Sequence, residues 1–250
     1  MQIDVRFPCD DGHELPGVLT LPAIAHGEPR PALLLVYEVF GLVPEMKRVA
    51  QDLANEGYVV LIPDLFDRGP KPICIARAVR AISQQKGQPL DDLEAARRWL
   101  AARPEVDASR LGVIGFCMGG GFALVLAMTG RYQVAAPFYG QAPATMSSSC
   151  PVVASFGGRD LSFAKFAPRL RKNLEELGVP HDVKLYPEAG HSFYTHTPAG
   201  VMGFLGSIGP MRAGHHEESA RDAHARILAF FREHLDGAQR TSTPDVAAEE

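Results

Sequence analysis

Short aliphatic runs alternate with amphipathic ones along most of this chain. Residues 31–37 (PALLLVY), 58–63 (YVVLIP), 111–115 and 151–156 are almost wholly apolar and bounded by turn residues. Runs of that length without polar alternation predict strands buried on both faces of a parallel sheet. Between them the spacing becomes helical. Pro44 opens a helix whose apolar face is Met46, Val49, Ala50 and Leu53, and Gly57 closes it. Asp91 and Asp92 precede a second face of Leu93, Ala96, Trp99 and Leu100, which Pro104 stops. Phe166, Leu170, Leu174 and Leu177 form a third, ended by Gly178; Ala220, Ala223, Ile227, Phe231 and Leu235 form a last, ended by Gly237. Strand alternating with helix predicts an α/β protein with a mostly parallel central sheet and helices on both faces. Two segments near 2–7 and 16–21, separated by the Asp10-Asp11-Gly12 turn, predict an antiparallel N-terminal edge. The pattern supports one domain over residues 1–236. The polar, unpatterned residues 237–250 read as a flexible tail.

Composition narrows the classes. A chain of 250 residues buries a substantial core, so it needs neither disulfides nor a metal to fold. With 22% charged residues and a net charge of −4, nothing favours a nucleic-acid or membrane partner. The start, MQIDVRFPCD, has no basic segment leading into an apolar run, and no apolar stretch is long enough to span a bilayer. Cys9, Cys74, Cys117 and Cys150 are scattered without a CxxC pair, which fits a reducing compartment. These features predict a cytoplasmic protein without cofactor or metal, acting on a small molecule as a monomer or small homo-oligomer.

One cysteine has a distinctive setting. The stretch VIGFCMGGG, residues 113–121, ends an aliphatic strand in a tight turn and runs into the wholly apolar residues 120–128. Strand, turn and helix are the setting of the nucleophile elbow of α/β-hydrolases. The nucleophile there takes strained backbone angles, and side chains two residues before and after it would collide. Gly115 and Gly119 fill those two places, and Gly120 lets the helix approach the sheet. A helix N-terminus below the thiol favours negative charge on sulfur or on a developing oxyanion. The bland alternative is a cysteine packed as a small hydrophobe. A phosphate loop is disfavoured, because the turn lacks a Walker lysine and the G-x-G-x-x-G spacing. An elbow of this kind requires an acid and then a histidine downstream. Asp160 follows the strand PVVASF, and His191 follows the strand DVKLYP, both just beyond strand ends where catalytic groups gather in open α/β sheets. Cys117, Asp160 and His191 thus make a candidate triad. His13, His196, His215 and His216 lack such a context.

The motifs GFCMGG, GGRD and AGHSF, together with YEVFG at 37–41, resemble those of the dienelactone hydrolase family, in the same order. The resemblance implies an α/β-hydrolase fold and the cleavage of enol-lactones such as carboxymethylenebutenolide in the breakdown of aromatics. It implies Cys117 as nucleophile, His191 as base, Asp160 as its orienting acid, and Glu38 as a glutamate beside the thiol. The oxyanion hole would then be the backbone N–H groups of Met118 and Val39. A carboxylate near the sulfur disfavours the thiolate, which would keep the resting thiol protonated. Sulfur in place of oxygen has its own meaning. A thiolate leaves a tetrahedral intermediate more easily than an alkoxide, so attack succeeds on esters whose leaving group is itself a stabilised anion. Two readings stay open beside a cysteine-dependent ester hydrolase: a general esterase or thioesterase of the same fold, and a thiol redox sensor without catalysis.

The chain departs from the family at its substrate clamp. Where the family has an arginine four residues after the histidine, this chain has Thr195. A second family arginine precedes the 91–103 helix, and Arg77 and Arg80 are the candidates there. Tyr139 and Phe193 complete the expected substrate contacts. Residues 194–214, glycine-rich and apolar, read as a lid, as a wall of the core or as a dimer contact.

Overall fold

A computed structural model of the chain describes residues 1–23, 28–196 and 206–236. Its eight strands are β1 (Gln2–Pro8), β2 (Glu14–Thr20), β3 (Arg30–Val36), β4 (Val59–Pro63), β5 (Val106–Phe116), β6 (Val134–Phe138), β7 (Val152–Gly157) and β8 (His181–Tyr186). They form one sheet in the order β1-β2-β4-β3-β5-β6-β7-β8. β1, β2 and β4 pair antiparallel, and every pair from β4 to β8 is parallel. The helices are α1 (Pro44–Asn55), α2 (Lys71–Gln84), α3 (Gln88–Ala101), α4 (Met118–Ala127), α5 (Phe166–Leu177) and α6 (Glu217–Phe231), the last continuing into a π turn at Arg232–Asp236. Among the described residues no helix is long and apolar enough to cross a membrane. The tail at 237–250 and residues 197–205 of the expected lid lie outside the described residues.

The elements follow from the patterning. β3 to β7 carry almost unbroken apolar runs because helices cover both faces of the sheet. β5 shows the two layers. Gly112 and Gly115 point to opposite faces, being an odd number of residues apart. A Cβ at Gly112 would lie 3.5 Å from Leu235 in the C-terminal turn, whereas one at Gly115 would lie 2.0 Å from the Gly119 carbonyl of α4. The register then aligns the strand ends. Val36 pairs with Gly115, Phe116 with Phe138, and Gly157 with Tyr186. The residues just beyond β3, β5, β6, β7 and β8 therefore emerge along one edge of the sheet.

Three elements differ from the patterned expectation. β6 (VAAPF) and α2 (KPICIARAVRAISQ) were not marked by the periodicity, and β5 begins at Val106 rather than near Leu111.

α4 meets the sheet backbone to backbone. A Cβ on Gly119 would fall 2.0 Å from the Val36 carbonyl oxygen, and one on Gly120 2.4 Å from that of Phe138. No rotamer change relieves a clash with backbone, so α4 and the sheet would have to separate. Gly119→Ala is expected to destabilise the protein by about 3 kcal/mol or more, read as a lowered urea midpoint. A midpoint within error of the parent would show that the close approach is dispensable.

Candidate active site

Five of the six expected catalytic and oxyanion residues lie just beyond strand ends, and the sixth, Met118, is the first residue of α4. Cys117, between β5 and α4, has φ 55° and ψ −114°, a conformation that costs a non-glycine residue about 1–3 kcal/mol. Its N–H donates to the Phe138 carbonyl at 3.0 Å, which fixes the turn. Two neighbours share the strain: Tyr139, after β6, has φ 40°, and Ser192, after His191, has φ 54°. Left-handed non-glycine residues thus gather here, a pattern found where function fixes the backbone. Met118 N–H is one of the helix-start donors that no helical carbonyl can satisfy. Val39 sits in the turn that Gly41 N–H closes onto the Glu38 carbonyl at 2.9 Å.

Asp160 is fully buried and its two oxygens have separate tasks. Oδ1 accepts the N–H groups of Ser162 and Phe163 at 3.0 and 3.1 Å, and Oδ2 lies 2.6 Å from His191 Nδ1. The backbone amides hold the carboxylate, and the carboxylate orients the imidazole. The rings of Tyr139 and Phe163, 4.7 and 4.8 Å away between centroids, flank His191. Its other nitrogen, Nε2, is buried with no hydrogen-bond partner. The thiol that acts on this imidazole is Cys117. Burial disfavours the charged ring, but the Cys117 sulfur and the Asp160 carboxylate outweigh it and raise the pKa from 6.5 to about 10.

Glu38 is buried as well, with 4% exposure. Its Oε1 accepts hydrogen bonds from Thr195 Oγ1 at 2.8 Å and from the Tyr139 hydroxyl at 3.0 Å. Burial raises its pKa, offset in part by Thr195, His191, Tyr139 and Ser192. Among the described residues no hydrogen bond joins it to the sulfur.

The expected substrate contacts are placed differently. Tyr139, Phe193 and Thr195 are each 0% exposed. Phe193 packs against Phe138, Tyr139 and Tyr186, while the hydroxyls of Tyr139 and Thr195 are spent on Glu38. In this structure all three make their contacts with the protein's own side chains. Arg77 and Arg80 line a cleft with Gln84, Lys86 and Gln88 that includes no triad residue. Phe163 was not singled out from the sequence; only its place three residues after Asp160 hints at a role.

The sequence model of the dienelactone hydrolase family matches residues 15–235. The chain belongs to that family. It is 27% identical to a "Putative carboxymethylenebutenolidase" of Methylorubrum extorquens, covering 92% of this chain and 80% of that one. A "Probable 2-oxo-3-(5-oxofuran-2-ylidene)propanoate lactonase" of Bradyrhizobium is 28% identical, covering 83% and 85%. Among solved structures, a "Putative Dienelactone Hydrolase" from Klebsiella pneumoniae superposes with a TM-score of 0.75 at 27% identity, covering 93% of this chain and 98% of that one. A dienelactone hydrolase-like promiscuous phosphotriesterase from metagenomic libraries reaches 0.76 over 94% and 98% of the two chains, but at 22% identity it speaks for the fold alone. This dienelactone hydrolase family member is thus an α/β-hydrolase-fold hydrolase of the carboxylic-ester class.

The raised imidazole has a defined sign. Because its folded pKa lies above 6.5, the charged pair contributes fully to stability below about pH 6.5 and is lost as the pH rises through about 10. Ring-nitrogen NMR should show His191 titrating near pH 10. In Cys117→Ala, which removes the sulfur's contribution, the midpoint should fall by about one unit or more. An unmoved midpoint would mean that the thiol and imidazole are not coupled.

Proposed function

We propose that this family member hydrolyses activated carboxylic esters or enol-lactones through an acyl-enzyme on Cys117. One observation carries the reading: a buried imidazole fixed at 2.6 Å to Asp160, its free nitrogen turned to the field of the Cys117 thiol at a strained elbow. His191 Nε2 holds the proton taken from the thiol, and the Cys117 thiolate attacks the acyl carbon. The carbonyl oxygen gains the charge and is received by the N–H groups of Met118 and Val39. Collapse breaks the acyl C–O bond and releases the enolate, which takes the proton from His191 Nε2 and leaves the imidazole neutral. Water then attacks the thioester, giving its proton to His191, and the thiolate departs with the carboxylic acid as product. Asp160 keeps Nδ1 protonated and stabilises the imidazolium throughout.

The names of the carboxymethylenebutenolidase and oxofuran-ylidene lactonase relatives support the enol-lactone class. The sensor reading has less support. A sensor needs a second ready thiol, whereas burial pushes Cys9 up to about 11 and Cys150 up to about 12, and Cys74 is buried too.

Cys117→Ala and His191→Ala should each lower kcat/KM on an enol-lactone by roughly 10³-fold or more, with Asp160→Asn somewhat less severe. The folds should remain, checked by thermal melting. Near-parental turnover by Cys117→Ala would sink the assignment.

Specificity gives a second test. Among the described residues, none of the leading influences on Glu38, Tyr139 or His191 is a lysine or arginine. A charge-assisted hydrogen bond contributes about 1.5–3 kcal/mol, or about 10- to 100-fold in binding. Without one, neutral activated esters are expected to be turned over about as well as acidic lactones. The measurement is kcat/KM for an acidic enol-lactone against its methyl ester. A preference of about 100-fold for the acid would mean that a cation reaches the substrate after all.

A further inference from the structure

We propose that Tyr139 and Thr195 are positioning residues for Glu38: their hydroxyls clamp one carboxyl oxygen and thereby set both its orientation and the pH at which it ionises. The inference deepens the reading of Cys117 as a reactive thiol and rests on it only in using that thiol as a reporter.

The clamp is built from three separate parts of the chain. Glu38 follows β3, Tyr139 follows β6, and Thr195 lies on the loop after β8. Glu38 Oε1 receives the Thr195 hydroxyl at 2.8 Å and that of Tyr139 at 3.0 Å, while the two hydroxyls lie 3.3 Å apart. Exposure is 4% for the carboxyl residue and 0% for both partners, so water does not compete for these bonds. Each hydroxyl is delivered by backbone that is itself unusual. Tyr139 has φ 40° and its N–H is anchored to the Ser155 carbonyl at 2.8 Å. Thr195 returns toward Glu38 because Ser192, at φ 54°, turns the chain and its carbonyl accepts the Thr195 N–H at 3.2 Å. Strain at two residues that place two hydroxyls on one oxygen is hard to account for as packing alone.

The chemistry of the clamp follows from the donors. A buried carboxylate faced by an arginine would be pinned as an anion at all working pH values. Hydroxyls carry no charge: they favour the anion when they donate, and they can also accept from a protonated acid. Glu38 is therefore held in place in either state. The charged and titratable groups bearing on it are His191, Tyr139 and, through these two, Cys117; Ser192 adds a further hydroxyl. Burial raises its pKa and the donors oppose that rise. Removing a donor must then move its ionisation to higher pH.

The experiment is the pH profile of Cys117 alkylation by iodoacetamide, with Cys117→Ala giving the background from the other three cysteines. Alkylation needs no turnover, so this test stands or falls separately from the assignment of hydrolysis. The parent should show an inflection that Glu38→Gln abolishes. Thr195→Val and Tyr139→Phe, both close in shape to the parent residues, should shift that inflection upward by about one pH unit. Thr195→Ser, which restores a hydroxyl without the methyl group, should bring it back. Three outcomes overturn the proposal: an inflection that survives Glu38→Gln, midpoints that do not move in Thr195→Val and Tyr139→Phe, or a Thr195→Ser midpoint that moves as far as that of the valine variant.

Discussion

The first turn of α4 lies directly on the backbone of the central strands, with Gly119 against the Val36 carbonyl and Gly120 against that of Phe138. Residues with side chains could not approach so closely. From this contact the remaining geometry follows. The chain between β5 and α4 meets this contact with the torsions recorded at Cys117, and the first N–H groups of the helix have no helical carbonyl to bond. The parallel register then brings the ends of β3, β6, β7 and β8 to the same edge as the end of β5, so that Glu38, Tyr139, Asp160 and His191 meet one another without any long excursion of the chain.

Two carboxyl groups serve one site, and their surroundings separate them. Asp160 is held in place by two backbone amides and an imidazole. Glu38 meets only hydroxyls and the more distant field of His191, in a setting where burial works against its charge. The first group is fixed by donors from the backbone and a ring, the second by side-chain hydroxyls alone.

Much of this was legible in the sequence. The glycine spacing around Cys117, and the order Cys117, Asp160, His191 at the ends of aliphatic runs, reflect local constraints and so leave local traces. β6 was not legible because Ala135, Ala136 and Pro137 give it little strand character, although all five residues are buried. α2 was hidden for the opposite reason: Ile73 and Val79 are half exposed while Cys74 and Ala78 are buried, so no single apolar stripe stands out. The partners of Glu38 were beyond reach, since Tyr139 and Thr195 are 101 and 157 residues away from it along the chain. Thr195 was read as a missing cation in a substrate clamp; only packing showed that it faces the protein's own acid.

The torsion at Cys117 also separates two histories that a motif blends together. Its cost is a property of the backbone and of any Cβ, and serine carries the same Cβ. The elbow therefore exerts no preference between sulfur and oxygen, and an exchange of one for the other would meet no conformational barrier. A preference for sulfur over oxygen at this position has to come from bonding chemistry and not from the backbone.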